Sequence, residues 1–151
     1  MKKFVDAVIV LFLAFILVAC GADKGEVQGE SCNAKDWGIT LTVRDVSTTG
    51  LTLICTQSGG IAEGSLETGS AYWIEKYENG NWVELETQLE QATWDMMAHL
   101  IPSDSSVEWT IDWSYLYGEL GEGRYRICKS IADFKGSGDS ESQFYCAEFE
   151  I

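Results

Sequence analysis

Five cysteines, one histidine and six tryptophans are the side chains of this 151-residue chain with the most chemistry to offer. A thiol can be alkylated, paired into a disulfide or used as a thiolate ligand, and spacing decides among these uses. Cys32, Cys55, Cys128 and Cys146 lack the close CxxC spacing of a zinc or thioredoxin-type site, so two disulfides are the better reading and a tetrathiolate centre the rival. His99 stands alone beside Met96 and Met97, with no GxSxG elbow anywhere in the chain. It reads as a structural histidine, and an enzyme is disfavoured. The stretch Gly136-Ser137-Gly138-Asp139-Ser140-Glu141 offers oxygen ligands without the acidic density of a calcium loop, and reads as a flexible turn. No catalytic set, metal-ligand set or cofactor motif emerges.

Cys20 has a different setting from the other four. Met1-Lys2-Lys3 is a short basic start, and Ala7 to Ala19 is an unbroken apolar run of 13 residues, with Asp6 at its edge. A membrane-spanning helix needs about 20 such residues, so the run reads as a secretory signal. It ends in Leu17-Val18-Ala19-Cys20, which resembles the bacterial lipobox. The resemblance implies that residues 1–19 are a lipoprotein signal peptide and that Cys20 becomes the lipidated N-terminus, since the diacylglyceryl group is attached through sulfur. Gly21 after the cysteine would also permit outer-membrane transport in a Gram-negative host. Residues 20–36 then form a solvated tether: Gly21 to Asp36 holds three glycines, six charged residues and Val27 as its one large aliphatic side chain.

Charge and composition bound the remainder. The chain carries 24 acidic and 10 basic residues, a formal net charge of -14. Phosphate backbones and anionic membrane surfaces repel such a chain, which argues against nucleic-acid binding. A composition 46% hydrophobic and 12% aromatic, with a single proline, supplies a core for one domain over residues 37–151.

The elements of that domain read as strands. Gly38 to Val46 places Ile39, Leu41 and Val43 on one face, and after a turn at Ser47 to Gly50 the next strand places Leu51, Leu53 and Cys55 inward. Ala71 to Glu78 and Asn81 to Glu86 flank Asn79-Gly80, a hairpin signal because both residues tolerate positive φ. Gln88 to Ile101 fits either a helical stripe or a short edge strand, with the strand ranked first. Val107 to Trp113 places Trp109, Ile111 and Trp113 on one face, and Tyr115 to Gly123 reads as a helical corner. Arg124 to Phe134 and Gln143 to Ile151 form a last hairpin. About seven strands with this alternation predict an all-β domain.

In the last hairpin, Tyr125, Ile127, Ala147 and Phe149 take the inward positions, leaving Cys128 and Cys146 on the outward side. A turn centred near Gly136 to Gly138 brings these two cysteines opposite each other, so Cys128 is expected to pair with Cys146. Cys32 with Cys55 follows by elimination, although Cys55 sits on an inward position. Among the tryptophans, Trp109 and Trp113 fall on inward positions, and Trp82 and Trp94 are expected to be partly buried. If Tyr72 and Ile74 face the core, Trp73 projects outward on the side shared by Glu75 and Tyr77. Trp73 and Tyr77 are therefore the candidate partner-binding residues, against the alternative of a covered edge.

The runs GLTLICTQSGG, YWIEKYENGNWVEL, EWTIDWSYLYGELGEGRYRI and AEFEI together resemble the bacterial immunoglobulin-like domain of surface lipoproteins and sensor proteins of Gram-positive bacteria. The similarity covers Trp37 to Ile151. It implies an immunoglobulin-like β-sandwich, with Tyr125 where a tyrosine corner would start the penultimate strand. Ile127 stands where antibody-type domains carry cysteine, so their inter-sheet disulfide is not expected. The family brings no catalytic residues to transfer. Two functions follow as expectations: a membrane-anchored, extracytoplasmic module that binds a protein or cell-wall glycan, or a structural or protective spacer with no specific ligand.

Overall fold

The computed structural model describes residues 35–89 and 92–151. The signal segment, Cys20, Cys32 and most of the tether lie outside the described residues. Among the described residues nine strands and one helical turn follow in chain order: β1 (Ile39–Arg44), β2 (Gly50–Gln57), β3 (Ser65–Thr68), β4 (Trp73–Glu78), β5 (Asn81–Glu84), β6 (His99–Leu100), β7 (Ser105–Asp112), α1 (Ser114–Tyr117), β8 (Arg124–Gly136) and β9 (Asp139–Glu150).

Local chemistry sets the turns. The Ser47 hydroxyl accepts from the Gly50 amide at 3.1 Å and donates to the Gly50 carbonyl at 2.9 Å, closing the β1–β2 hairpin. Asn79 and Gly80 both take positive φ, 52° and 87°, as the tight β4–β5 turn requires. Gly60 has no substitute: at φ 84° a Cβ there would lie 2.3 Å from the Trp37 carbonyl carbon. This close approach seats the fully buried Trp37 beneath the start of the domain.

The strands form two antiparallel sheets. The smaller has the order β1-β2-β7, and in the larger β8 is the spine. Along one side of β8 runs β9; along the other run β4, paired with its first half, and β3, paired with its second half. β5 extends the sheet beyond β4, and β6 beyond β3. Alternation fills the space between the sheets. Leu51, Leu53 and Cys55 from β2 and Tyr125, Ile127 and Ile131 from β8 are all buried, joined by Ile74, Ile111, Trp113 and Phe149. Trp113 and Tyr125 both stack on Phe149, with centroids 5.5 and 5.6 Å apart.

Several expectations are adjusted. Within Gln88 to Ile101 the short edge strand ranked first is confined to His99–Leu100, which pairs with β3 at the sheet edge, and the described rest is irregular. The helical corner is the single turn Ser114–Tyr117. β3 has too short and too polar a run, Ser-Leu-Glu-Thr, to announce itself by alternation. Its pairing follows from the length of β8, whose second half would otherwise present an open edge.

Candidate functional site

The larger sheet turns its outward face to solvent, and β4, β5, β8 and β9 place a continuous aromatic and charged stripe on it. Trp73 and Tyr77 both point outward from β4, as their position opposite Tyr72 and Ile74 requires, and both are half-buried. Neighbours cover the rest of their surface. Phe144 on β9 meets Trp73 edge-on at 5.1 Å, and Trp82 on β5 meets Tyr77 edge-on at 5.1 Å. The Trp73 indole N–H donates to Glu75 at 2.9 Å, and Glu75 in turn accepts from Arg126 at 2.6 Å. Arg126 lies 4.7 Å from the Trp82 ring centroid, and Arg124 lies 5.0 Å from that of Tyr77. Phe144 is the exposed aromatic member of the stripe, at 67%. Alternation in β9 assigned it outward, but the sequence reading passed over it.

Beneath this stripe Cys128 and Cys146 stand opposite each other and are joined in a disulfide, in the register expected from the hairpin. The second expected bridge, Cys32 with Cys55, reaches outside the described residues at its Cys32 end. Among the described residues Cys55 is a free thiol, fully buried on the inward face of β2 between Leu41 and Val107 of the flanking strands. With two of the four thiols in a disulfide, a tetrathiolate centre is also unavailable to the fold. Burial pushes the Cys55 thiol up to about 11, with the charge of Lys129 a smaller opposing influence.

Lys129 is a residue the sequence reading did not single out. It occupies an inward position of β8 between Ile127 and Ile131 and is 3% exposed. Between β3 and β4 the chain breaks from the ladder at residues 69–72, and the ammonium fills the break. Nζ donates to the carbonyls of Gly69 at 2.8 Å and Ala71 at 3.2 Å, and lies 5.2 Å from the Trp109 ring centroid. Burial holds its pKa down at about 8. The signal was its parity: Lys129 shares a face with Ile127 and Ile131.

A cavity of about 360 Å³ opens at the same break, with Lys129 in its wall. Tyr72, Trp94 and Trp109 supply aromatic surface, Leu89, Ile111 and Leu116 aliphatic surface, and Ser70 and His99 polar atoms. Tyr72 and Trp94 pack edge-on at 5.0 Å. His99, expected to be structural, sits half-buried in this wall with Nε2 3.5 Å from the Ser70 hydroxyl. Ser70 donates its proton to Asp95 at 2.5 Å, and this bond, with one from the Met97 amide and a smaller coulombic influence of His99, lowers the Asp95 pKa. The serine proton thus points to the carboxylate and away from the histidine, opposite to the order of an acyl-transfer triad. On the last hairpin, Glu141 pairs with Lys35 at 3.0 Å and with Lys135 at 3.6 Å, so the glycine-rich loop uses its acid structurally.

Two packed antiparallel sheets, with the penultimate strand entered at a buried tyrosine, are the frame of an immunoglobulin-like sandwich. Residues 35–150 match the family model described as a bacterial Ig-like domain. The chain belongs to the bacterial Ig-like domain family. No curated protein and no solved structure matches it significantly. Two features of this Ig-like domain now take their place. Its tyrosine corner is formed by Tyr125, whose hydroxyl donates to the Gly121 carbonyl at 2.9 Å. Where antibody-type domains bridge the sheets with a disulfide, this Ig-like domain has the single thiol Cys55 on β2 and Ile127 and Lys129 inward on β8. Such domains serve as non-catalytic modules of extracellular and surface proteins, and the family supplies no reacting residues here.

Proposed function

We propose that this chain is an extracytoplasmic lipoprotein, anchored through lipid on Cys20 and held off the membrane by the tether 21–36. Its Ig-like domain binds a protein or cell-envelope glycan through the outward face of the larger sheet. The observation that carries the reading is the stripe Phe144, Trp73, Trp82 and Tyr77 interleaved with Arg124 and Arg126. Trp, Tyr and Arg are the side chains that dominate binding energy at interfaces, because each brings large apolar area with a fixed polar tip. The half-burial of Trp73, Tyr77, Trp82 and Arg126 among one another holds their rotamers in place before any partner arrives, which reduces the ordering cost of binding. The same half-burial favours the second reading, an envelope spacer without a specific ligand. The strong negative charge serves either reading, since it turns the domain outward from anionic headgroups.

Anchoring is tested by fractionating cells that express wild type or Cys20→Ala. Wild type is expected in the membrane fraction and the variant in the soluble extracytoplasmic fraction; equal membrane association of both removes the lipid anchor. Binding is tested by presenting the immobilised chain to solubilised envelope. Retention of one defined component by wild type, lost in Trp73→Ala/Phe144→Ala with the fold intact, supports the module. Identical retention by both transfers the weight to the spacer.

A further inference from the structure

The cavity at the β3–β4 break lies on the inner side of the larger sheet, away from the outward stripe, and its chemistry is different. Its walls are mainly aromatic and aliphatic, with Asp112 and one cation, Lys129, among the polar residues set in them. That lysine is only 3% exposed and its ammonium donates to two backbone carbonyls, leaving its third N–H without a partner among the described residues. No described carboxylate forms an ion pair with it: of the described acids, Asp112 in the cavity wall accepts from the amide and hydroxyl of Ser114, and Asp95 accepts from Ser70. A buried cation held by neutral carbonyls and a ring face lacks the compensating charge that such a group demands, and attraction to an incoming anion is strong where water is scarce. The volume of about 360 Å³ lies at the small end of ligand pockets, roughly 300–1,000 Å³, and suits a single ring with a short polar arm.

We propose that this cavity binds a small organic monocarboxylate bearing one flat or apolar ring, with the ring against Trp94, Trp109 and Tyr72 and the carboxylate accepting from the free N–H of Lys129. The ring gains apolar burial on the aromatic walls, and the carboxylate supplies the counter-charge. Specificity then comes from charge. A neutral analogue of the same shape keeps the wall contacts and leaves the ammonium uncompensated.

Benzoate and benzyl alcohol are matched probes, equal in ring and nearly equal in size, one charged and one neutral. Each is titrated into the purified protein at pH 7 while the indole N–H resonances of Trp94 and Trp109 are followed by NMR. Benzoate is expected to shift both resonances saturably, with a dissociation constant at least tenfold below that of benzyl alcohol. Lys129→Met should bring the two constants together by weakening benzoate alone, and Thr93→Trp, which fills the cavity from an exposed wall position, should abolish both titrations. Equal affinities in wild type, or no saturable shift with either probe, would overturn the proposal. Benzoate shifts that persist in Thr93→Trp would do the same. The wild-type comparison and the Thr93 variant decide the matter even if Lys129→Met does not fold.

Discussion

Replacing Lys129 by methionine should reverse the way stability responds to alkaline pH. In the unfolded chain this amine keeps its proton up to its ordinary pKa of 10.5, whereas burial makes the folded protein release it near 8. Between those values the unfolded state binds more protons, so stability rises with pH. From pH 8 to pH 9 the lysine alone adds about 1 kcal/mol. Cys55 acts in the opposite sense. Its thiol ionises near 9.0 when unfolded and is pushed by burial to about 11 when folded, so it removes stability as pH climbs through that window. Below pH 9 its effect is under half that of the lysine; above pH 9 the two nearly cancel. Burial also raises Tyr72, and raises Tyr145 to about 12, so both reduce stability above pH 10 and close the useful range. Urea midpoints at constant ionic strength should therefore rise between pH 8 and pH 9 in wild type and then level off. Lys129→Met should show no rise and should decline from pH 8, while Cys55→Ala should keep rising towards pH 10. A flat profile shared by wild type and Lys129→Met would refute the burial argument, because it would mean that the amine titrates as it does in the open chain.

Three further outcomes follow from the packing. Cys128→Ala/Cys146→Ala releases a loop with a sequence separation of 18, and loop entropy sets the loss near about 3 kcal/mol, read as a lower urea midpoint against oxidised wild type. Tyr125→Phe removes the hydroxyl bond to the Gly121 carbonyl and should destabilise by about 1 kcal/mol in the same assay, without changing the denaturant slope. Gly60→Ala forces a Cβ into the Trp37 backbone at positive φ and should lose about 2–4 kcal/mol, with a red shift of tryptophan emission if Trp37 is unseated.

Where alternation runs long, the residues declare their own positions. Tyr125, Ile127, Ala147 and Phe149 fix the faces of the last hairpin, and their parity with a turn at Gly136 to Gly138 leads directly to the Cys128–Cys146 pairing. The same parity sends Trp73 and Tyr77 outward. What it does not reveal is cover: Phe144, Trp82, Arg124 and Arg126 arrive from three other strands, and only the sheet order brings them over β4. The inward position of Cys55 is legible from its parity with Leu51 and Leu53, and the neighbouring strands close over it there. The cavity is invisible to local pattern. It exists because β3 and β4 follow one side of β8 with a break at residues 69–72, a consequence of long-range pairing, and because a buried lysine fills that break.

The most direct test of the outward face as a binding surface is photocrosslinking on intact cells, with the photoreactive residue at position 144 on β9 or, as a control, at exposed position 106 on the outward face of the smaller sheet. Capture of one defined protein or glycan from position 144, lost in Trp73→Ala and absent from position 106, is the expected result. Capture of the same mixture from both positions, or of nothing from position 144 while the Cys128–Cys146 bridge shows the domain folded, would contradict it.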